Sequence, residues 1–183
     1  MNWLNTILIL GAALLAVFWE AAFNGLRFLL GAQLDLLPAL MVYAALSAGI
    51  TAVAMLAVFG GLAFDALSAN PLGISMLPLF AVGLWIHVNR DLILRDQVFA
   101  QVVLGLAASA ATQVLALVML LTTGHNPLIG WGTLWQLVVM SLGGALATPV
   151  CFEIFGWLNR ALIHGRVSET SFRPDREIRR GRQ

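Results

Sequence analysis

The chain has 183 residues, of which 60% are hydrophobic and only 10% charged, with a formal net charge of +1. Soluble domains carry about 25% charged residues, and a chain of this length has no core large enough to hide so much apolar side chain from water. The composition therefore excludes a water-soluble globule and makes lipid the solvent.

A membrane span needs about 20 mostly apolar residues to cross about 30 Å of hydrocarbon. The first apolar run, Trp3 to Trp19, ends at Glu20, with Arg27 in a short connection after it. No basic residue precedes this run, as a cleaved signal peptide would require, so it reads as a retained first span. The charge-free stretch from Leu36 to Phe64 is long for one helix and short for two. Gly49, between Ser47 and Thr51, marks its middle, and the stretch reads as a helical hairpin with arms at 28–48 and 50–64. One tilted helix here is the alternative, giving five spans in place of six.

The fourth run lies between Pro71 and Val88, with Pro71 suited to a first helical turn. The patch His87, Asn89, Arg90, Asp91, Arg95, Asp96, Gln97 reads as a solvated loop. From Gln97 to Phe152 there is again no Asp, Glu, Lys or Arg. Turn residues at 122–127 split this stretch into a fifth span, 98–121, and a sixth, 131–158, which Pro149 is placed to kink. Residues 1–159 form the transmembrane helical domain, and 160–183 an arginine-rich tail with little to bury, disordered or interfacial.

The chain has no lysine. Seven arginines (Arg160, Arg166, Arg173, Arg176, Arg179, Arg180 and Arg182) crowd the tail, against only Arg27, Arg90 and Arg95 before it. The positive-inside rule places the tail in the cytoplasm. With six spans the N-terminus and the loop at 90–95 are also inside, and Arg27 is the one violation. The tail arginines suffice to set topology. Anionic lipid contact adds about 1 kcal/mol per basic residue near the surface, and a cytoplasmic protein partner is a further option.

The most informative stretch is Gly60-Gly61-Leu62-Ala63-Phe64-Asp65, followed by Ala66-Leu67-Ser68-Ala69-Asn70 and Pro71-Leu72-Gly73. An ionisable group at membrane depth costs about 2.5–3.5 kcal/mol on insertion scales. Asp65 thus needs water, a helix N-terminus or a donor, and the start of the helix after Pro71 offers one. The simplest role is to cap this turn at the membrane boundary; direct contact with a partner or ligand is the sharper one. Gly61, Asp65, Asn70, Pro71 and Gly73 are the candidate contact residues.

This stretch resembles the MreD family of rod shape-determining proteins, in which a Gly-Leu-x-x-Asp segment at a helix end precedes a small-polar turn and a Leu-Gly start to the next helix. Gly61-Leu62-Ala63-Phe64-Asp65 and Pro71-Leu72-Gly73 match that pattern, and Asp35-Leu36-Leu37-Pro38 is compatible with it. The resemblance covers roughly residues 1–160 and leaves the tail without a family reading. It implies an all-α polytopic bundle similar to the substrate-binding membrane subunits of energy-coupling-factor transporters. It implies a non-enzymatic role in the bacterial inner membrane, within the cell-wall elongation machinery that maintains rod shape. The partner implied is MreC, with MreB, RodA and penicillin-binding protein 2 engaged indirectly, membrane lipid around the bundle, and no nucleic acid.

The remaining polar residues suggest little chemistry. His87, His125 and His164 are scattered, without the helical pairing that metal ligands need. Cys151 reads as a small hydrophobe. Ser109 and Ser141 have no base at helical spacing, so neither catalytic residue nor cofactor is expected. Gly105, Ala108, Ser109 and Thr112 in the fifth span, and Ser141, Gly143, Gly144, Ala145, Ala147 and Thr148 in the sixth, form thin faces suited to close helix packing. Packing within the chain is the simpler use, a partner helix the other. Trp3, Trp19, Trp85, Trp131, Trp135 and Trp157 near span ends read as an aromatic belt. A vitamin-transporter subunit is the rival function, and its pocket would have to draw on Asp65, Asn70, Gln113 and Gln136. A lipid-active enzyme would need paired acids or an acid–histidine pair on one face, which the sequence does not offer.

Overall fold

The computed structural model describes residues 3–22, 31, 35–68, 71–93, 97–123 and 130–167, with side chains to residue 161. Among the described residues the regular elements are helices: α1 (Trp3–Ala22), α2 (Leu37–Ser47), α3 (Ile50–Leu67), α4 (Met76–Val88), α5 (Val98–Thr122) and α6 (Trp131–Val167), with a short 3-10 turn at Arg90–Leu92. Four of them, α1, α3, α5 and α6, are long and apolar enough to cross a bilayer. The 11 residues of α2 and 13 of α4 are not: at about 1.5 Å per residue they reach roughly 16 and 20 Å, short of the hydrocarbon thickness. Among the described residues the protein is thus all-helical, with four helices long and apolar enough to cross a membrane and two apolar helices that fall short of a full span. The expected start of the second arm, at Phe28, lies outside the described residues.

The stretch from Leu36 to Phe64 is a hairpin and not one tilted helix. Ala48 (ψ −179°) and Gly49 (ψ 169°) are extended and break the helix. A Cβ on Gly60 would sit 3.1 Å from Leu37 Cδ2, so the end of α3 returns beside the start of α2. Ten of the 11 residues of α2 are buried. This is a helix apolar all round because it is surrounded by protein, and it forms the centre of the bundle. Tyr43 stacks on Phe155 of α6 (centroids 4.6 Å, planes 17° apart) and meets Phe152 edge-on at 5.1 Å. Gly83 of α4 leaves room for Met41 of α2 and Val53 of α3, whose atoms a Cβ there would overlap.

The buried residues of α3 come in pairs four apart: Ala52-Val53, Leu56-Ala57, Gly60-Gly61, Phe64-Asp65. In a regular α-helix a four-residue spacing drifts by about 40° per step, about 120° over three steps. The π-helical turn at Leu56–Gly60 takes up one extra residue and cancels about 100° of that drift. It therefore keeps Asp65 on the same inward face as Val53.

The thin faces foreseen in α5 and α6 pack on each other. Buried Gly105, Ala108, Ser109 and Thr112 meet Ser141, Gly144, Ala145 and Thr148. A Cβ on Gly105 would overlap Thr148 Oγ1 and lie 2.6 Å from the Gly144 carbonyl oxygen; one on Gly144 would overlap the Ser109 hydroxyl. Backbone approach of this kind is what small residues permit in lipid. The hydroxyls of Thr112, Ser141 and Thr148 donate to carbonyls four residues back, at 2.7–2.8 Å.

Two boundaries differ from expectation. α4 begins at Met76, not at Pro71, because residues 72–75 are turns and Gly73 has φ +94°, which no α-helix accommodates. α6 runs through Pro149 and on to Val167, so Arg160 and Arg166 belong to a helix and not to a structureless tail. At about 1.5 Å per residue its 37 residues reach roughly 55 Å, far beyond the hydrocarbon. The six tryptophans are each more than half exposed, with Trp19, Trp131 and Trp135 towards one end of the bundle and Trp3, Trp85 and Trp157 towards the other, as a belt requires.

Candidate functional site

Asp65 is the most deeply buried charged side chain among the described residues, 1% exposed. Its Oδ2 accepts the backbone N–H of Gly73 (2.8 Å) and of Ser75 (3.1 Å). Ser75 is the N-cap of α4 and makes no side-chain cap of its own; Asp65 supplies the anion from across the turn, where a helix start favours it. The Ser68 hydroxyl donates to the Asp65 carbonyl at 3.4 Å, and Ser68 N–H to Phe64 at 2.9 Å, closing α3. The second oxygen, Oδ1, is buried and has no hydrogen-bond partner among the described residues.

The glycines of the motif serve this corner. A Cβ on Gly61 would lie 2.8 Å from Cα and 3.0 Å from N of Met76, so Gly61 lets α3 touch the first turn of α4. Gly73, at φ +94°, adopts a conformation side chains disfavour and thereby turns its N–H towards Asp65. Pro71 precedes the turn and is exposed; Asn70 lies outside the described residues. Of the candidate contact residues, then, Gly61, Asp65 and Gly73 come together as one corner, and Asp65 faces inward. What the corner presents outward is Leu67 (57% exposed) and Leu72 (71%), two apolar side chains not singled out from sequence because hydropathy gives no sign of their direction.

At the same end, Glu20 Oε1 accepts the Leu36 N–H (2.7 Å) and Asp35 Oδ1 the Leu37 N–H (2.9 Å), an acidic cap on the start of α2. Glu20 Oε2 is also buried without a partner among the described residues.

The opposite end holds a cleft of about 750 Å³ whose lining comes from four helices: Asn5 of α1, Tyr43 and Ser47 of α2, Gln101 of α5, and Glu153 and Arg160 of α6. Sequence reading missed this convergence, since those residues lie far apart along the chain. Gln113 and Gln136 do not line it, nor does Asp65. His87 is a satisfied helix-end histidine, Nδ1 3.0 Å from the Ala45 carbonyl oxygen. The only ion pair seen among the described residues, Arg90–Asp91 at 3.8 Å, is exposed and contributes little. Cys151 is half-buried and unbridged. The described residues contain no group of His, Cys, Asp or Glu able to hold a metal ion. His125, Arg27, Arg95 and the arginines from Arg173 onward lie outside the described residues, as does the Arg166 side chain.

Comparison of the chain with models of known families, with curated proteins and with solved structures finds no match.

Proposed function

We propose that the chain is a non-enzymatic, multi-pass scaffold of the bacterial inner membrane, of the MreD type, that supports rod-shaped growth by binding MreC within the cell-wall elongation machinery. The observation that carries this reading is the corner from Gly61 to Ser75. The residues on which the family resemblance rests form one interlocked turn, with Asp65 holding Gly73 and Ser75 and Gly61 seated on Met76. Its exposed Leu67 and Leu72 provide the apolar contact for a partner's transmembrane or juxtamembrane segment. Six passes, with α2 and α4 as short inner ones, put the arginine-rich tail in the cytoplasm by the positive-inside rule and this corner on the outer side. MreB, RodA and penicillin-binding protein 2 are engaged through MreC. The tail arginines set orientation and attract anionic lipid.

A vitamin-transporter subunit would draw its pocket from Asp65, Asn70, Gln113 and Gln136; Asn70 lies outside the described residues, and none of the other three lines the cleft at the opposite end. The scaffold reading is therefore preferred.

The test is copurification in mild detergent with the chain's native neighbours. Recovery of an MreC-like protein in stable stoichiometry, reduced by Leu72→Glu in a variant that still folds, supports the reading. Recovery of a transporter ATPase and a tightly bound small molecule instead overturns it.

A further inference from the structure

We infer that the cleft between α1 and α6 is a binding site for an amine-bearing zwitterionic phospholipid, its phosphate held by Arg160 and its ammonium by Glu153. This inference does not depend on which complex the chain serves.

The charges are placed for it. Glu153 and Arg160 both line the cleft, seven residues apart on one helix, which is about two turns and hence one face. Arg160 folds back towards Glu153: its Nε donates to the Gly156 carbonyl oxygen at 3.2 Å. Gly156 has no side chain to fill the space between, and a Cβ there would come within 4.0 Å of the guanidinium. A base and an acid thus flank a gap of roughly two helical turns or less, a span that a phosphate and a primary amine joined by two carbons can bridge.

Glu153 needs such a partner. It lies one turn on the membrane side of Trp157, the aromatic that marks this end of the belt, where an acid is costly unless paired. It has no ion-pair partner among the described residues. An ammonium that donates hydrogen bonds satisfies it; a quaternary ammonium or a glycerol headgroup does so poorly.

The rest of the lining suits a lipid. Asn5, Ser47 and Gln101 give the lining a neutral polar character suited to phosphate and ester oxygens, with Asn5 and Ser47 hydrogen-bonded to the Tyr43 hydroxyl. Tyr43, fixed by Phe152 and Phe155, gives the cleft a rigid floor. Val150 and Ile154 line the cleft yet are 55% and 56% exposed, so the site runs out onto the lipid-facing surface, where acyl chains continue. A purely anionic lipid would meet Glu153 without compensation, so attraction by the arginine-rich segment alone does not describe this site.

The full chain, purified in mild detergent and stripped of lipid, is offered equal amounts of phosphatidylethanolamine, phosphatidylcholine and phosphatidylglycerol, and retained lipid is read by native mass spectrometry. Phosphatidylethanolamine is expected to be retained about tenfold over the other two, the size of one charge-assisted hydrogen bond. Glu153→Gln abolishes that preference without lowering retention of phosphatidylglycerol, and Arg160→Gln weakens retention of all three. Both side chains are exposed, so the lipid-free unfolding midpoint, expected to move by no more than loss of an exposed polar contact gives, about 1 kcal/mol, serves as the folding control. Equal retention of the three lipids by the unaltered chain, or a preference that survives Glu153→Gln, overturns the assignment.

Discussion

Replacing Asp65 separates its structural role from any outward contact. In Asp65→Ala the N–H groups of Gly73 and Ser75 lose acceptors at 2.8 and 3.1 Å. A hydrogen bond to a charged group contributes about 1.5–3 kcal/mol. Both donors are only partly buried, which favours the lower end, and removing a carboxylate with one unpartnered buried oxygen returns some desolvation cost. The expected loss is about 2–3 kcal/mol, a factor of roughly 30–150 in the folded-to-unfolded ratio. Asp65→Asn keeps one oxygen for both N–H groups, loses the charge and places its NH2 where the unpartnered Oδ1 lies; neutral hydrogen bonds being about half as strong, a loss of about 1–2 kcal/mol is expected, below that of Asp65→Ala. The assay is reversible unfolding in mixed micelles of a mild detergent and increasing dodecyl sulfate, followed by circular dichroism. If Asp65→Ala is as stable as the unaltered chain, or Asp65→Asn loses as much as Asp65→Ala, Asp65 does not cap α4 and the reasoning fails.

Three further outcomes follow from the packing, each read by the same unfolding assay. Gly73→Ala forces a Cβ onto a residue at φ +94° and should cost about 1–3 kcal/mol, although open space surrounds the position; a neutral result would show that the turn has a different backbone. Gly144→Ala drives a methyl into the Ser109 side chain and should cost about 1–3 kcal/mol, while Ser109→Gly in the same chain relieves it, with a coupling of at least about 1 kcal/mol; additive effects would disprove close contact of α5 and α6 there. Deleting Val58 removes the extra residue that the π turn takes up, and a regular α-helix then carries Asp65, about 11 residues from Val53, to the same face within about 20°; Asp65→Ala should therefore still cost about 2–3 kcal/mol in the deletion background, and a cost near zero would mean that the extra residue is not what keeps Asp65 facing inward.

Much of the fold was legible because lipid demands long apolar runs and small residues where helices touch. The break at Gly49, the α5–α6 seam and the tryptophans near helix ends follow from residue type alone. The depth of α2 did not, since hydropathy cannot distinguish a helix facing lipid from one surrounded by protein, and ten buried residues in a row look like any apolar span. The four-residue pairing in α3, and with it the π turn, was not legible, because residues 50–64 are apolar or small nearly throughout and only burial picks out the pairs. The start of α4 was misplaced because Pro71 permits a first turn while the positive φ of Gly73, fixed by its bond to Asp65, delays it. Arginine content suggested that the chain beyond Arg160 was unstructured, but arginine is a good helix former, and α6 continues to Val167. A cap at Asp65 was one of two roles the sequence allowed, and its bonds to Gly73 and Ser75 fill that one, whereas the outward face, Leu67 and Leu72, depends on side-chain direction. The polar cleft was out of reach because four segments build it and only the tertiary fold gathers them.

The scaffold reading is tested most directly by photocrosslinking in living cells from an amber-encoded crosslinker at Leu72, with the same probe at Leu142, a 53% exposed residue about a third of the way along α6, as the control. The account predicts a crosslink from Leu72 to an MreC-like single-pass protein and none to that protein from Leu142. A crosslink from neither position, or from Leu72 to transporter components instead, would contradict it.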